Sequence, residues 1–260
     1  MLKFALEDSP FRDEYLAEEV GFYALPEGYK HNGVEVQIKQ IEGVRCDDYL
    51  NKNFRTQSAP FPILIVDGRI WMSLSFMELQ SSFMPVTLMG GNVATGGLGL
   101  GYFTLKAMAN SAVDHLDVYE QDPRVIKFFT ETFRYREGFD KVTLIEGDAR
   151  RLLQGKEYDF AFIDIYPSLL GAEIIDDILL FGQGNQIECL FFWGVEKAVL
   201  DAVTAEIIGM DEIPYMFRMY YALWMRTNNY HKMYQPIGDE EHLQQIIDAL
   251  NEIGFFQSIG

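Results

Sequence analysis

The stretch Asn92-Val93-Ala94-Thr95-Gly96-Gly97-Leu98-Gly99-Leu100-Gly101-Tyr102-Phe103-Thr104 constrains this chain more than any other. A short apolar run enters a glycine-dense turn, and a helix-like segment leaves it over residues 102–108. Glycine lets the backbone turn sharply and approach a ligand closely. A helix that starts there offers unpaired N–H groups and a positive dipole end. Together these features mark the first βα turn of an open nucleotide-binding α/β sheet. The glycines stand at 97, 99 and 101. A dinucleotide fingerprint G-x-G-x-x-G begun at Gly97 meets Tyr102, and begun at Gly99 it meets Thr104. The spacing therefore favours a loop for S-adenosylmethionine over a loop for NAD.

From this turn onward the chain alternates. Apolar strand-like runs cover residues 92–95, 115–120, 142–146, 158–164 and 187–193, with helix-like segments at 102–110, 123–135, 148–154 and 168–180. Such alternation predicts a parallel sheet covered on both faces, a doubly wound Rossmann-like α/β fold. Upstream, residues 13–19 suit a short helix and residues 26–28 a turn. Residues 34–41 alternate apolar and polar as a half-buried strand does. Residues 62–72 read as a hairpin around Asp67-Gly68, a favoured two-residue turn. Residues 75–84 read as helical, with Pro85 following. The organisation expected is a β-rich extension over 1–85 and a SAM-binding α/β domain over 86–260. The latter ends in helices at 195–208 and 239–252 and in an aromatic segment with Tyr215, Phe217, Tyr220, Tyr221 and Trp224.

Composition narrows the partners. A chain of 260 residues, 48% of them hydrophobic, can bury a full core. Its net charge of -18 opposes contact with nucleic-acid backbones, which need Lys and Arg to displace counterions. The same charge suits a small cationic substrate, a basic protein partner or only solubility. Cys46 and Cys189 make neither a disulfide framework nor a zinc site and point to a reducing cytoplasm. No apolar run approaches the roughly 18 residues that span a bilayer. Residues 1–19 lack the basic and apolar regions of a signal peptide. His31, His115, His231 and His242 show no metal-binding spacing, so no metal is expected. The expected partners are a small-molecule substrate, without nucleic acid or membrane, and the aromatic C-terminal third suits a homodimer face.

Three acidic residues follow the loop at strand ends. Glu120 closes the 115–120 run, 19 residues past Gly101, where a carboxylate can accept bonds from ribose hydroxyls. Asp148, in Gly147-Asp148-Ala149, suits either an adenine contact or a helix N-cap. Asp164 closes the 158–164 run, where open α/β sheets place their ligands. An aspartate ending a buried strand needs a reason to be there.

These residues reach a resemblance. The glycine loop, Val118-Tyr119-Glu120-Gln121-Asp122, Glu146-Gly147-Asp148-Ala149 and Tyr158-Asp159 followed by Asp164 resemble the ordered motifs of class I SAM-dependent methyltransferases. Residues 64–72 and then Phe76-Met77-Glu78-Leu79-Gln80 resemble the lead-in of spermidine synthases, with its DG hairpin and aromatic-x-E segment. The resemblance spans residues 60–170. It implies S-adenosylmethionine, or its decarboxylated form, held by Thr95, Gly97, Gly99, Gly101, Glu120, Gln121, Asp148, Ala149 and Asp164. It further implies acceptor contacts at Gln80 and Tyr166, with Asp164 and Tyr166 catalytic. Two departures stand out. Thr95-Gly96-Gly97-Leu98-Gly99 replaces the family's acidic or GGGDG loop start. Asp164-Ile165-Tyr166-Pro167 replaces D-S-x-D-P, so Pro167 stands where the spermidine synthases keep the aspartate that deprotonates the attacking amine. Proline cannot act as a base. Three functions remain on this reading: methyl transfer to a small, cationic acceptor, aminopropyl transfer from decarboxylated SAM, and a catalytically silent SAM-fold scaffold.

Overall fold

The computed structural model describes residues 9–25, 28–39, 44–57, 60–227 and 239–259. Residues 1–8, the first two residues of the turn expected at 26–28, the end of the 34–41 strand and His231 lie outside the described residues. The chain opens with α1 (Asp13–Tyr23). Six strands follow: β1 (Tyr29–His31), β2 (Val34–Lys39), β3 (Val44–Asp48), β4 (Asn51–Gln57), β5 (Phe61–Val66) and β6 (Arg69–Ser73). An antiparallel sheet runs in the order β1-β2-β5-β6, and β3 and β4 pair as a separate hairpin. Asp67 and Gly68 have φ of 50° and 78°, and Asn32 and Gly33 have 45° and 82°. Positive φ at both central residues marks primed turns, whose twist matches the flanking strands. The two tips are joined, since Asp67 N donates to the Gly33 carbonyl at 2.8 Å. The hairpin expected at 62–72 is β5–β6. The β1–β2 hairpin was not legible in the sequence because Tyr29–His31 is too short to show a period, and β3–β4 was not because Val44–Asp48 and Asn51–Gln57 are mostly polar and do not alternate.

Two short helices then cross toward the main sheet, α2 (Phe76–Ser81) and α3 (Phe83–Leu88). Pro85 does not follow this helical stretch but is the third residue of α3. A first-turn N–H has no intrahelical partner, so its loss there costs nothing.

The main sheet contains β7 (Gly91–Gly96), β8 (Val113–Glu120), β9 (Val142–Glu146), β10 (Glu157–Ile163) and β11 (Gln186–Phe192). Its order is β11-β10-β7-β8-β9, with every pairing parallel. The order reverses at β7, which makes the crevice beyond the ends of β7 and β10 the switch point where such sheets bind ligands. Crossovers run through α4 (Tyr102–Ala109), α5 (Pro123–Phe133), α6 (Ala149–Leu152) and α7 (Ile174–Gly184). The doubly wound α/β fold read from the sequence is therefore present. Phe103 of α4 packs on Phe160 and Phe162 of β10, and Phe181 of α7 packs on Phe192 of β11.

The chain ends with α8 (Val195–Thr204), α9 (Tyr215–Thr227), α10 (Glu240–Glu252) and α11 (Phe255–Ser258). Two helix bounds differ from the sequence expectation, each for a local reason. The helix expected at 168–180 begins only at Ile174, because Leu170 adopts φ 54° just after Pro167. The helix expected to reach residue 208 stops at Thr204. There Glu206 enters the left-handed region, and Glu206 N and Ile207 N donate to the Val203 and Ala202 carbonyls, closing a Schellman cap. Among the described residues, no helix is long and apolar enough to cross a membrane.

Candidate active site

Five strand ends are tied together at the C-terminal edge of the sheet. Gly97 N donates to the Tyr119 carbonyl, Asp164 N to Gly96 and Gly147 N to Glu120, each at 2.8 Å. Trp193 N donates to the Ile163 carbonyl at 2.9 Å. These bonds extend the ladders past the strands and fix the loop residues that follow β7, β9, β10 and β11.

Glycine is required at two loop positions. Gly97 has φ 93°, and a Cβ there would collide with the Asp164 carbonyl. Gly101 has φ 81° as the N-cap of α4, and a Cβ there would enter the Phe129 ring. The Leu100 carbonyl accepts from the Tyr23 hydroxyl at 2.6 Å, so α1 braces the loop from behind. Leu100 N points at Met72 Sδ, 3.1 Å away, which seats β6 against the loop at Gly99. Thr95 is fully buried, and its hydroxyl lies 3.5 Å from the Gly97 carbonyl, a weak contact.

Glu120 closes against this loop. Its Oε2 accepts from Leu98 N at 3.0 Å and its Oε1 from Asp122 N at 2.9 Å. Each carboxylate oxygen keeps a further lone pair for a ligand hydroxyl. Gln121 beside it is exposed. Asp122 caps α5 through Arg124 N. The Arg124 guanidinium then bridges Asp122 (2.7 Å) and Asp67 at the β5–β6 tip (2.8 Å). Those bonds hold both acids below the usual carboxylate range. Asp148 accepts from Arg150 N at 2.9 Å, so it serves as the N-cap of α6. Ala149 packs against Gly96.

Asp164 follows β10 and is half-buried. Burial pushes its carboxyl up to about 7. Tyr166 is buried, and its hydroxyl makes no aligned hydrogen bond. Burial raises this phenol well above its usual range, and the nearby Asp177 carboxylate raises it further. Asp177 is itself engaged by Arg150, in two parallel bonds of 2.7 Å.

Gln80, expected at the acceptor, is placed otherwise. It is fully buried, its Oε1 accepts from Tyr49 N at 2.8 Å, and its Nε2 donates to Asp48 at 3.0 Å. Its amide pins the turn between β3 and β4. The aromatic segment likewise belongs mainly to the core. Phe217, Tyr220 and Trp224 are fully buried, and Phe217 stacks on Phe191.

Sequence reasoning gave no role to two buried acids. Glu78, on α2, is buried; burial raises its carboxyl well above the usual range, and the charge of Asp164 raises it further. Glu196, at the start of α8, is fully buried with neither oxygen in an aligned hydrogen bond. Burial pushes it up to about 8, and the neighbouring Tyr49 hydroxyl offsets this in part. Glu78 carried one sequence signal, its place in the aromatic-x-E segment, and Glu196, beside Lys197 at the start of α8, carried none. A broad depression of about 610 Å³ opens at the opposite edge of the sheet, beside Asn92, Asp159 and Glu188. None of the candidate residues lines it.

The sheet order and glycine loop define the class: a doubly wound, Rossmann-like α/β protein. The sequence matches no protein-family model. It matches no curated protein sequence either. Among solved structures the chain is similar to a spermidine synthase in complex with the transition-state analogue AdoDATO. The identity is 12%, coverage 64% of this chain and 54% of that one, and the TM-score 0.39. Spermidine synthase from Thermotoga maritima is similar at 12% identity, 62% and 53% coverage and TM-score 0.39. Trm5b from Pyrococcus abyssi is similar at 13% identity, 50% and 36% coverage and TM-score 0.35. The chain thus spans about half the length of the spermidine synthase chains it matches. The fold assignment rests on the strand order itself.

Proposed function

We propose that this protein is a SAM-dependent methyltransferase acting on a small, cationic acceptor. The observation that carries the reading is the seating of Glu120 against Leu98 N of the glycine loop, with Asp148 and Asp164 at the neighbouring strand ends. The residues suit the donor. Backbone at Gly97 and Gly99 leaves no room for side chains but remains polar, Glu120 has lone pairs for both ribose hydroxyls, and Asp148 and Ala149 border the adenine side. When bound, the donor supplies an already activated methyl group. The protein's remaining tasks are alignment and exclusion of water. Asp164 would orient the acceptor, and Tyr166 would form a wall of its pocket. Aromatic and acidic neighbours favour a cation there.

Aminopropyl transfer is the second reading, favoured by the β5–β6 hairpin whose Met72 meets the loop. Pro167 weighs against it. Parallel calorimetric titrations with SAM, decarboxylated SAM and NAD separate the possibilities. Preference for SAM supports methyl transfer, and preference for the decarboxylated donor supports aminopropyl transfer. NAD binding refutes the reading of the glycine spacing. Binding of none of the three moves the chain to a silent scaffold.

A further inference from the structure

Strand β8 ends at Glu120, and α5 begins at Pro123. The short turn between them carries the acid placed at the donor ribose, so whatever fixes this turn fixes Glu120. Proline at the first helical position has no N–H. The next amide, Arg124 N, donates to Asp122 Oδ1 at 2.9 Å. The Arg124 side chain then folds back on the same acid. Its Nε and Nη2 donate to the Asp122 carboxylate at 2.9 and 2.7 Å. Its Nη1 and Nη2 donate to the Asp67 carboxylate at 2.8 and 3.1 Å. Nη1 also reaches the Asn32 carbonyl at 3.3 Å. All five guanidinium N–H groups are thus engaged. Asp67 and Asn32 sit at the tips of the β5–β6 and β1–β2 hairpins, 57 and 92 residues away in the chain.

On its other side, Asp122 N donates to Glu120 Oε1, while Leu98 N donates to Glu120 Oε2. One line of hydrogen bonds therefore runs from the hairpin tips through Arg124, Asp122 and Glu120 to the glycine loop. The β5–β6 hairpin meets that loop a second time, through Met72.

We propose that Arg124 is a positioning residue for the donor: by clamping Asp122 to the two hairpin tips, it holds the Glu120 carboxylate in place to receive the ribose hydroxyls. This inference rests on the donor reading above. A lone surface ion pair adds little, but bidentate pairs that share one guanidinium are the exception. The Arg124 and Asp122 side chains are only 28% and 24% exposed, so solvent screens their contact in part. Lysine could not take this place, since a point charge cannot bind two carboxylates in fixed planes. A carboxylate already fixed by two amides loses little freedom when a ligand arrives. Once released, it must be ordered at that moment, which costs about three- to tenfold in affinity. A role limited to joining the hairpins to α5 would change stability without favouring one nucleoside over another.

The test begins without ligand. Amide hydrogen exchange by NMR should show Leu98 and Asp122, the two donors to Glu120, exchanging severalfold faster in Arg124→Gln. Gly97, which is bonded to the Tyr119 carbonyl, should be unchanged. Wild-type exchange at Leu98 and Asp122 overturns the proposal. Calorimetry then compares S-adenosylhomocysteine with its 2′,3′-dideoxy form. The wild type should favour the hydroxylated nucleoside by at least about tenfold. Arg124→Gln should shrink that preference by about three- to tenfold and leave affinity for the dideoxy form near wild type. Asp67→Asn should shrink it less, in the same direction. Asparagine suits the φ of 50° at that exposed tip, so this variant carries the test if Arg124→Gln fails to fold. Equal losses for both nucleosides, or a preference that survives in both variants, overturn the proposal. A wild type that binds the two nucleosides equally overturns it as well. If the wild type binds neither, the donor reading fails and takes the ribose role with it. Faster exchange at Leu98 and Asp122 then places the fault in the donor rather than in the clamp.

Discussion

Glu196 provides a direct test of the physical reasoning because it stands apart from the proposed chemistry. It is fully buried, and its carboxyl is pushed from the usual 4.5 up to about 8. The folded protein therefore holds a proton that the unfolded chain releases above pH 4.5. Stability follows the difference in bound protons, so here it falls as pH rises through this window. At about 1.4 kcal/mol per pH unit, the interval from 4.5 to 7 costs about 3 kcal/mol. The full interval to about 8 costs about 5 kcal/mol, after which the loss levels off. Glu196→Gln keeps the shape and removes the titration. Urea unfolding of both proteins at pH 4 to 9 should show a stability difference that is nearly constant below pH 4.5. It should then grow in favour of the variant by about 3 kcal/mol at pH 7. Any cost of burying the amide adds a constant offset and leaves the slope. A difference that does not vary with pH would refute the assignment of Glu196 as a buried, proton-holding carboxyl.

Further expectations concern the donor site and its supports. Glu120→Ala should weaken binding of a SAM-type nucleoside by about 1–3 kcal/mol, the worth of charge-assisted bonds to hydroxyls; unchanged affinity by calorimetry would remove Glu120 from the site. Gly97→Ala forces a side chain into φ 93° and onto the Asp164 carbonyl, so it should cost more than about 1–2 kcal/mol in denaturant unfolding and weaken nucleoside binding. A wild-type midpoint would contradict the close approach. Asp177→Asn takes the charge from a buried partner of Arg150 and should destabilise the fold by about 1–3 kcal/mol, read as a lowered urea midpoint. Asp164→Asn should leave folding intact at pH 7 and depress turnover once an acceptor is found, and full turnover would remove its catalytic role.

How much was legible differs by element. The hairpin tip at Asp67-Gly68, the five strand runs and the loop at 97–101 were readable because turn chemistry and hydrophobic period act over a few residues. The β1–β2 hairpin escaped, although Asn32-Gly33 makes the same kind of turn, because Tyr29–His31 is too short to show alternation. The start of α7 was misplaced because nothing local marks Leu170 as a left-handed residue. At the candidate site, Glu120, Asp148 and Asp164 were singled out by their places at strand ends. The role of Gln80 was not, since its partners Asp48 and Tyr49 come from a hairpin about 30 residues earlier.

The sequence by itself determined the alternation of strands and helices in the main sheet, the glycine turn and the acids at the strand ends. Each of these is written in local periodicity and in backbone preferences of single residues. Only the tertiary structure decided which acids lose their water. Ser81 meets Trp193 across 112 residues, and Glu78 feels burial and the charge of Asp164 only in the folded chain. Proton affinity is set by burial and by neighbouring charge, and both exist only after distant segments pack.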